Sequence, residues 1–270
     1  MRGIDGDIKR ALVTGASSGL GKAIAEALMA QGVEVWGVGR NAERLEAMDG
    51  LHPVLADLTE SMDWQAWYEK LDAEQGGFDL VVNNAGSAVL GRFEHLKAED
   101  IEAQFRLLLS VPAALSQAAL TAMRQRGRGY LVNMSSLAGD MPIPYMAPYN
   151  ASKSALGTLS RSLMLEHPQG PPWIIDLRPG DFRTPFNQSI QRTESGEAWE
   201  ASYFKQLDAH LEQAPSEVVL VHHLVKALQR SRHQSLACGS FFQSRIALFF
   251  GRCLAWRVFS RFIRRYYKLP

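Results

Sequence analysis

Apolar positions along this chain switch repeatedly between two periods. Ala11-Leu12-Val13 is a short apolar run ending in Thr14-Gly15, and the next apolar positions, Leu20, Ile24 and Leu28, fall at helical spacing. The order this predicts is strand, glycine turn, helix. A second strand is expected at Val33–Val38 with a helix after Asn41, and a third at His52–Asp57 with a helix around Trp64–Leu71. Phe78–Asn83 reads as a fourth strand closed by a turn at Gly86, followed by a long helix from about Glu99 to Gln125. Gly127-Arg128-Gly129 then turns into a fifth strand, Tyr130–Met134. A helix containing Lys153 to Glu166 leads to a sixth, Trp173–Leu177. Brief β-rich runs alternating with helices predict an α/β fold, a doubly wound parallel sheet with helices on both faces. Such sheets bind ligands beyond the carboxyl ends of their strands.

Composition changes this picture little. The 270 residues, 46% hydrophobic and 21% charged, fit one ordinary folded domain. The two cysteines, Cys238 and Cys253, form no ligand cluster or disulfide framework, which favours a reducing compartment. Neither a secretory signal nor an ordinary spanning helix is expected, and a cytoplasmic location is.

Charge changes it more. The net charge of +1 comes from 29 basic and 28 acidic side chains, but residues 218–270 hold ten Lys and Arg and no acid, a formal +10. The preceding 217 residues therefore hold 29 − 10 = 19 basic against 28 acidic groups, a formal −9. An acid-free quarter asks for an anionic neighbour: a lipid surface, a nucleic acid, or the acidic rest of the chain.

The polar motifs fall at the predicted strand ends. TGASSGLG at 14–21 places Gly15, Gly19 and Gly21 between strand and helix. There a turn needs no Cβ, and the helix N-terminus offers unpaired N–H groups to a pyrophosphate. Ser17, Ser18 and Leu20 share that loop. The second strand ends in Gly39-Arg40 instead of an acid; glycine leaves room and Arg40 offers a planar fork to a 2′-phosphate, which favours NADP(H). In Tyr149-Asn150-Ala151-Ser152-Lys153, helical spacing puts the phenol and the ammonium on one face, where the ammonium is expected to lower the phenol pKa. Taken alone, the pair is also what an amphipathic surface helix would carry.

The succession TGASSGLG, Asp57, NNAG at 83–86, Ser135-Ser136, YNASK at 149–153 and PGDFRT at 179–184 resembles the short-chain dehydrogenase/reductase family in its one-domain, Rossmann-type, NADP-dependent form, over about residues 8–235. The resemblance implies that Tyr149 protonates a carbonyl oxygen while NADPH delivers hydride, or acts as base in reverse. Lys153 would hold the nicotinamide ribose and tune the phenol, and Ser136 would hydrogen-bond the substrate oxygen. Ser135 would be structural. It also implies that Asp57 and Leu58 meet the adenine and that Asn84, Ala85 and Gly86 meet the adenosine side. Pro179, Gly180 and Thr184 would meet the nicotinamide end. One position departs: where such enzymes carry an asparagine that holds a water in the proton path, this chain has Leu108. Either main-chain carbonyls or Ser110 then keep the relay, or the relay is weakened.

Residues about 185–215 are expected to form a substrate lid, where Trp199, Tyr203, Phe204 and Leu207, at helical spacing, either close an apolar pocket or serve plain packing. The loop Met141–Met146 adds apolar side chains beside Tyr149. Both favour a bulky apolar carbonyl or alcohol over a small charged acid. The division expected is one domain over residues 1–240 and a basic aromatic arm over 241–270. That arm has six arginines, one lysine and no acid among its aromatics. It reads either as a peripheral membrane contact or as an arm packed on the acidic remainder of the chain or on a second subunit of a homo-oligomer. Two rivals to an oxidoreductase are a cofactor-binding regulatory or scaffold protein, favoured by Leu108, and a nucleic-acid binder. No base-reading module supports the latter, and no nucleic-acid partner or metal is expected.

Overall fold

The apolar runs read from the sequence form the strands of a seven-stranded sheet in the computed structural model, which describes residues 4, 6–186, 190–193, 196–197 and 199–269. In chain order its strands are β1 (Arg10–Thr14), β2 (Glu34–Gly39), β3 (Leu51–Leu55), β4 (Leu80–Asn83), β6 (Tyr130–Met134), β7 (Trp173–Pro179) and β9 (Gln234–Cys238). The short strands β5 (Val89–Leu90) and β8 (Gln191–Arg192) pair apart from it. The sheet order is β3-β2-β1-β4-β6-β7-β9 and every pairing is parallel. Strands buried on both faces need no alternation, which is why β4 and β6 read as unbroken apolar runs.

The helices start and stop for local reasons. Asn41 accepts the Arg44 N–H at 2.8 Å to begin α2 (Ala42–Glu46), and Asp63 accepts the Ala66 N–H at 3.0 Å to begin α3 (Trp64–Glu74). Gly127, at φ 66°, ends the long central helix in the left-handed conformation. One sheet face is covered by α1 (Gly19–Met29) and α8 (Glu217–Leu228), through Ile24, Leu28, Leu220 and Leu224. The other is covered by α3, by the central helix and by α6 (Ala147–Glu166). The central helix comprises α4 (Ala98–Phe105), a π-helical turn (Arg106–Ser110) and α5 (Val111–Arg126). The strand order reverses between β1 and β4, so a crevice opens at their carboxyl ends.

After β9 come a π-helical turn (Phe242–Ala247), α9 (Leu248–Cys253) and α10 (Trp256–Tyr266). Their inner side packs on α7 (Glu200–Glu212): Tyr267 lies 5.8 Å from Tyr203 and Tyr266 lies 4.5 Å from His210, ring to ring. Phe241, Phe249 and Trp256 remain exposed on the outer side.

The expectation of a cytoplasmic protein that touches a membrane through this arm is corrected. Among the described residues, the one helix long and apolar enough to cross a bilayer is Ala98–Arg126, in mid-chain and not at the C-terminus. Its apolar side chains serve the core, where Leu108, Leu115 and Met123 are fully buried, whereas the arm is broken into segments too short to span.

Candidate active site

The crevice holds a cavity of about 890 Å³ that runs from β2 across β1, β4 and β6 to the arm. Its first wall is backbone. Gly15 and Gly19 take φ of 69° and 53°, where a side chain is strained. Gly21 does not line the cavity but permits it, since a Cβ there would sit 2.2 Å from the Gly15 carbonyl oxygen. Ser17, Ser18 and Leu20 line the loop, with Ser18 in extended conformation at the α1 N-terminus. Thr14 Oγ1 accepts the N–H groups of Asn84 and Ala85 at 2.9 and 3.0 Å, and Asn84 Nδ2 donates to the Thr14 carbonyl at 2.9 Å. The Asn84-Ala85-Gly86 turn is thereby pinned to the glycine loop, and all three residues line the cavity.

Arg40, at the end of β2, is largely exposed and lies 3.5 Å from the Asp57 carboxylate. Burial raises the Asp57 pKa, but hydrogen bonds from the Thr59 hydroxyl and N–H, together with Arg40, outweigh it and hold the carboxyl below its ordinary range. Leu58 lies beside it in the cavity wall. Thr184 sits over the glycine loop, where a Cβ on Gly19 would be 3.4 Å from its own, and Pro179 and Gly180 close the far side at the end of β7. This cradle fits a dinucleotide: close-approach glycines, the free N–H groups of a helix N-terminus, and an arginine fork at the outer end.

Ser136, Tyr149 and Lys153 meet at the centre of the cavity. Ser136 follows β6 and lies within hydrogen-bonding reach of the phenol; its hydroxyl donates to the Pro179 carbonyl at 3.2 Å. Lys153 is buried, donates to the Met134 carbonyl at 2.7 Å and stands 5.9 Å from the centre of the Tyr149 ring. Burial pushes the phenol up to about 12, the Ser136 contact opposing it and the Asp181 charge adding to it. Burial likewise brings the ammonium down to about 8, against the pull of Asp176. Burial thus outweighs any lowering of the phenol pKa by Lys153 in this state, where the ammonium is held by the Met134 carbonyl and faces the ring. Ser135 turns away and donates to the buried Asp176.

Leu108 is fully buried in the π-helical turn, its Cδ2 3.3 Å from where a Cβ on Gly86 would lie. Ser110 is exposed and outside the cavity lining, which leaves main-chain carbonyls or a weakened relay of the alternatives expected in place of asparagine. One turn earlier, Gln104 is buried against the cavity, and both polar atoms of its amide lack a protein partner among the described residues.

The inner end of the cavity is lined by Met141, Ile143, Met146, Leu207, Leu211 and Tyr267. Trp199 stacks on Tyr145 at 4.4 Å outside it, and Tyr203 and Phe204 are packing residues beneath. Residues 187–189, 194, 195 and 198 of the expected lid lie outside the described residues. Sequence reasoning missed Asp181, Gln243 and Tyr267 here, and Arg44 beside Arg40. Only Asp181 left a signal, an acid directly after Pro179-Gly180.

Comparison with known proteins agrees with this architecture. A family profile described as short chain dehydrogenase matches residues 9–195. A 3-ketodihydrosphingosine reductase of Bacteroides thetaiotaomicron is 34% identical over 199 residues, 73% of each chain. The crystal structure of a short-chain dehydrogenase from Streptomyces avermitilis superposes with a TM-score of 0.79 at 28% identity, over 98% of this chain and 97% of that one. A short-chain dehydrogenase from Sphingobium yanoikuyae in complex with NADPH gives 0.62 at 26% identity, over 76% and 94%.

Proposed function

The chain belongs to the short-chain dehydrogenase family and is a nicotinamide-dependent oxidoreductase acting on a carbonyl or alcohol, and we propose that it interconverts a ketone and a secondary alcohol on a bulky apolar substrate with NADP(H). One observation carries this reading: the dinucleotide cradle, the Ser136-Tyr149-Lys153 group and an apolar chamber share a single continuous cavity. Arg40, exposed and with Asp57 as its one ion-pair partner among the described residues, favours the 2′-phosphate. The Bacteroides relative, named as a reductase of a 3-keto compound, supports a carbonyl substrate.

When bound, the cofactor supplies hydride to the carbonyl carbon. Ser136 and the Tyr149 phenol hold the substrate oxygen, and Tyr149 passes its proton to that oxygen as negative charge develops there. A phenol held up at about 12 is protonated at neutral pH, as an acid must be. The phenolate left behind is compensated by the Lys153 ammonium below, whose bond to the Met134 carbonyl leaves two further N–H groups to carry a proton back. Met141, Ile143, Leu207 and Leu211 exclude water from the reacting carbon and receive the apolar part of the substrate. Leu108 supports a second reading, a catalytically weakened cofactor-binding protein on the same fold. The exposed aromatics of the arm, with its +7 set against −6 elsewhere, support a homo-oligomer in which the arm of one copy meets another.

The test is a panel of bulky ketones offered with NADPH and with NADH to the wild type and to Tyr149→Phe. NADPH-dependent reduction, lost about 10³-fold or more in the phenylalanine variant while NADPH still binds, is expected. Cofactor binding without turnover of any ketone by the wild type would favour the second reading, and equal use of NADH would overturn the NADP(H) assignment.

A further inference from the structure

Asp181, half-buried in the wall of the cavity, stands apart from the buried acids of this protein. Asp72 is 2.7 Å from Arg126, Asp79 is 3.0 Å from Arg128, and Asp176 is met by Arg161 at 3.5 Å and Arg178 at 3.8 Å. Burying a carboxylate without a cation is costly, so each of these has one. Asp181 has no arginine or lysine paired with it among the described residues, only the more distant charge of His210. The basic side chains lining the cavity are Arg40 and Arg44 at its outer end and Lys153, whose ammonium is bonded to Met134.

Its surroundings place it at the reacting centre. Asp181 follows Gly180 at the end of β7, and its charge acts on the phenols of Tyr149, Tyr203, Tyr266 and Tyr267. Gln243 of the arm clamps one side: its amide donates to one carboxylate oxygen at 2.5 Å, and its carbonyl oxygen accepts the Asp181 N–H at 3.2 Å. The second carboxylate oxygen has no hydrogen-bond donor among the described residues, and Asp181 lines the chamber together with Leu207, Leu211 and Tyr267. A latch between arm and sheet would need only the first oxygen, and an uncharged residue would serve it equally well. Burial raises the Asp181 carboxyl pKa, with the Gln243 bond and the His210 charge opposing it. A cation placed against the free oxygen would reverse that penalty.

We propose that Asp181 is the recognition point for a protonated amine on the substrate, so that the preferred substrate joins three parts: a ketone or secondary alcohol, an apolar chain, and a primary amine close to the reacting carbon. This rests on the function proposed above and names its substrate class. The ammonium donates to the free carboxylate oxygen, the chain lies along Leu207 and Leu211, and the carbonyl oxygen points to Tyr149 and Ser136.

The experiment compares two ketones of equal chain length, one bearing a primary amine on a carbon next to the carbonyl and one without it, in the full-length protein with NADPH at neutral pH. The amine is expected to raise kcat/KM about 10-fold or more, as for one charge-assisted hydrogen bond. Asp181→Asn keeps an acceptor for Gln243 and removes the charge; the ratio between the two ketones, not either rate, should fall to about one. Equal kcat/KM for both ketones in the wild type would overturn the inference and leave the function standing. Should Asp181→Asn fail to fold, competition against the plain ketone decides in the wild type. Stronger inhibition by a long-chain alkylamine than by the alcohol of the same length supports the inference, and equal inhibition refutes it. If neither ketone turns over, the function is at fault, and binding of the alkylamine measured by calorimetry decides this inference alone: tight binding relative to the alcohol supports it, and none overturns it.

Discussion

The two ends of the cavity are made by different means. The outer end is shaped by backbone: Gly15 and Gly19 at positive φ, Gly21 under the loop, and Thr14 tying the Asn84-Ala85 turn to it, all within the first 86 residues. The inner end is shaped by side chains from separate segments, with Met146 before α6, Asp181 after β7, Leu207 and Leu211 on α7, and Gln243 and Tyr267 in the arm. A backbone cradle fits the invariant part of a ligand, and a wall of side chains can be refitted to another substrate without touching it.

Breaking the cradle should have the largest effect. In Gly21→Ala the new methyl meets the Gly15 carbonyl oxygen and the Asn84 amide, neither of which can yield without opening the turn. NADPH affinity is expected to fall about 100-fold or more, equivalent to roughly 2.7 kcal/mol, by fluorescence titration. Breaking the chamber should be milder and of another kind. Tyr267→Ala removes a buried ring from the packing around Tyr203 and should lower stability by about 3 kcal/mol. Its KM for a bulky ketone should rise several-fold with NADPH affinity unchanged; a large loss of cofactor binding would refute the division.

Lys153, where the two ends meet, gives the smallest effect on stability and the most diagnostic one. Its folded pKa, lowered by burial from 10.5 to about 8, means that the folded protein holds this proton less tightly than the unfolded chain. The destabilisation is therefore complete below about pH 8 and is relieved as pH rises from there toward 10.5. Lys153→Met should abolish turnover yet raise stability at pH 7 by about 1 kcal/mol, after the lost bond to the Met134 carbonyl is counted. In thermal melts the advantage over wild type should shrink between pH 8 and pH 10. An advantage that stays constant across that range would refute the charge argument.

The same division governs what the sequence could disclose. Local signals carried the cradle: a strand, a glycine turn and a helix are adjacent in the chain, so TGASSGLG and Gly39-Arg40 announce their geometry by spacing alone. Strands β1, β2, β3, β4, β6 and β7 were legible as short β-rich runs between turn and helix signals, while the two-residue β5 was not. β9 was not, since Gln234–Cys238 is an edge strand with a half-polar pattern that pairs only with β7. The chamber was half legible. Helical spacing exposed Leu207 but could not separate it from Tyr203 and Phe204, which face the packing beneath. Gln243 and Tyr267 were hidden because nothing local says that an arm of short helical turns folds back onto the strand ends. The π-helical turn at Leu108 was also invisible, since its five residues satisfy a helical pattern equally well.

The bond between Gln243 and Asp181 also bears on the order in which the protein is made. A chain emerging from the ribosome presents its N-terminal residues first, and structure forms from the segments already released. The glycine loop, its turn at Asn84 and the strands around them are complete long before Tyr267 leaves the exit tunnel. The substrate wall is therefore completed last, when the arm reaches back to Asp181.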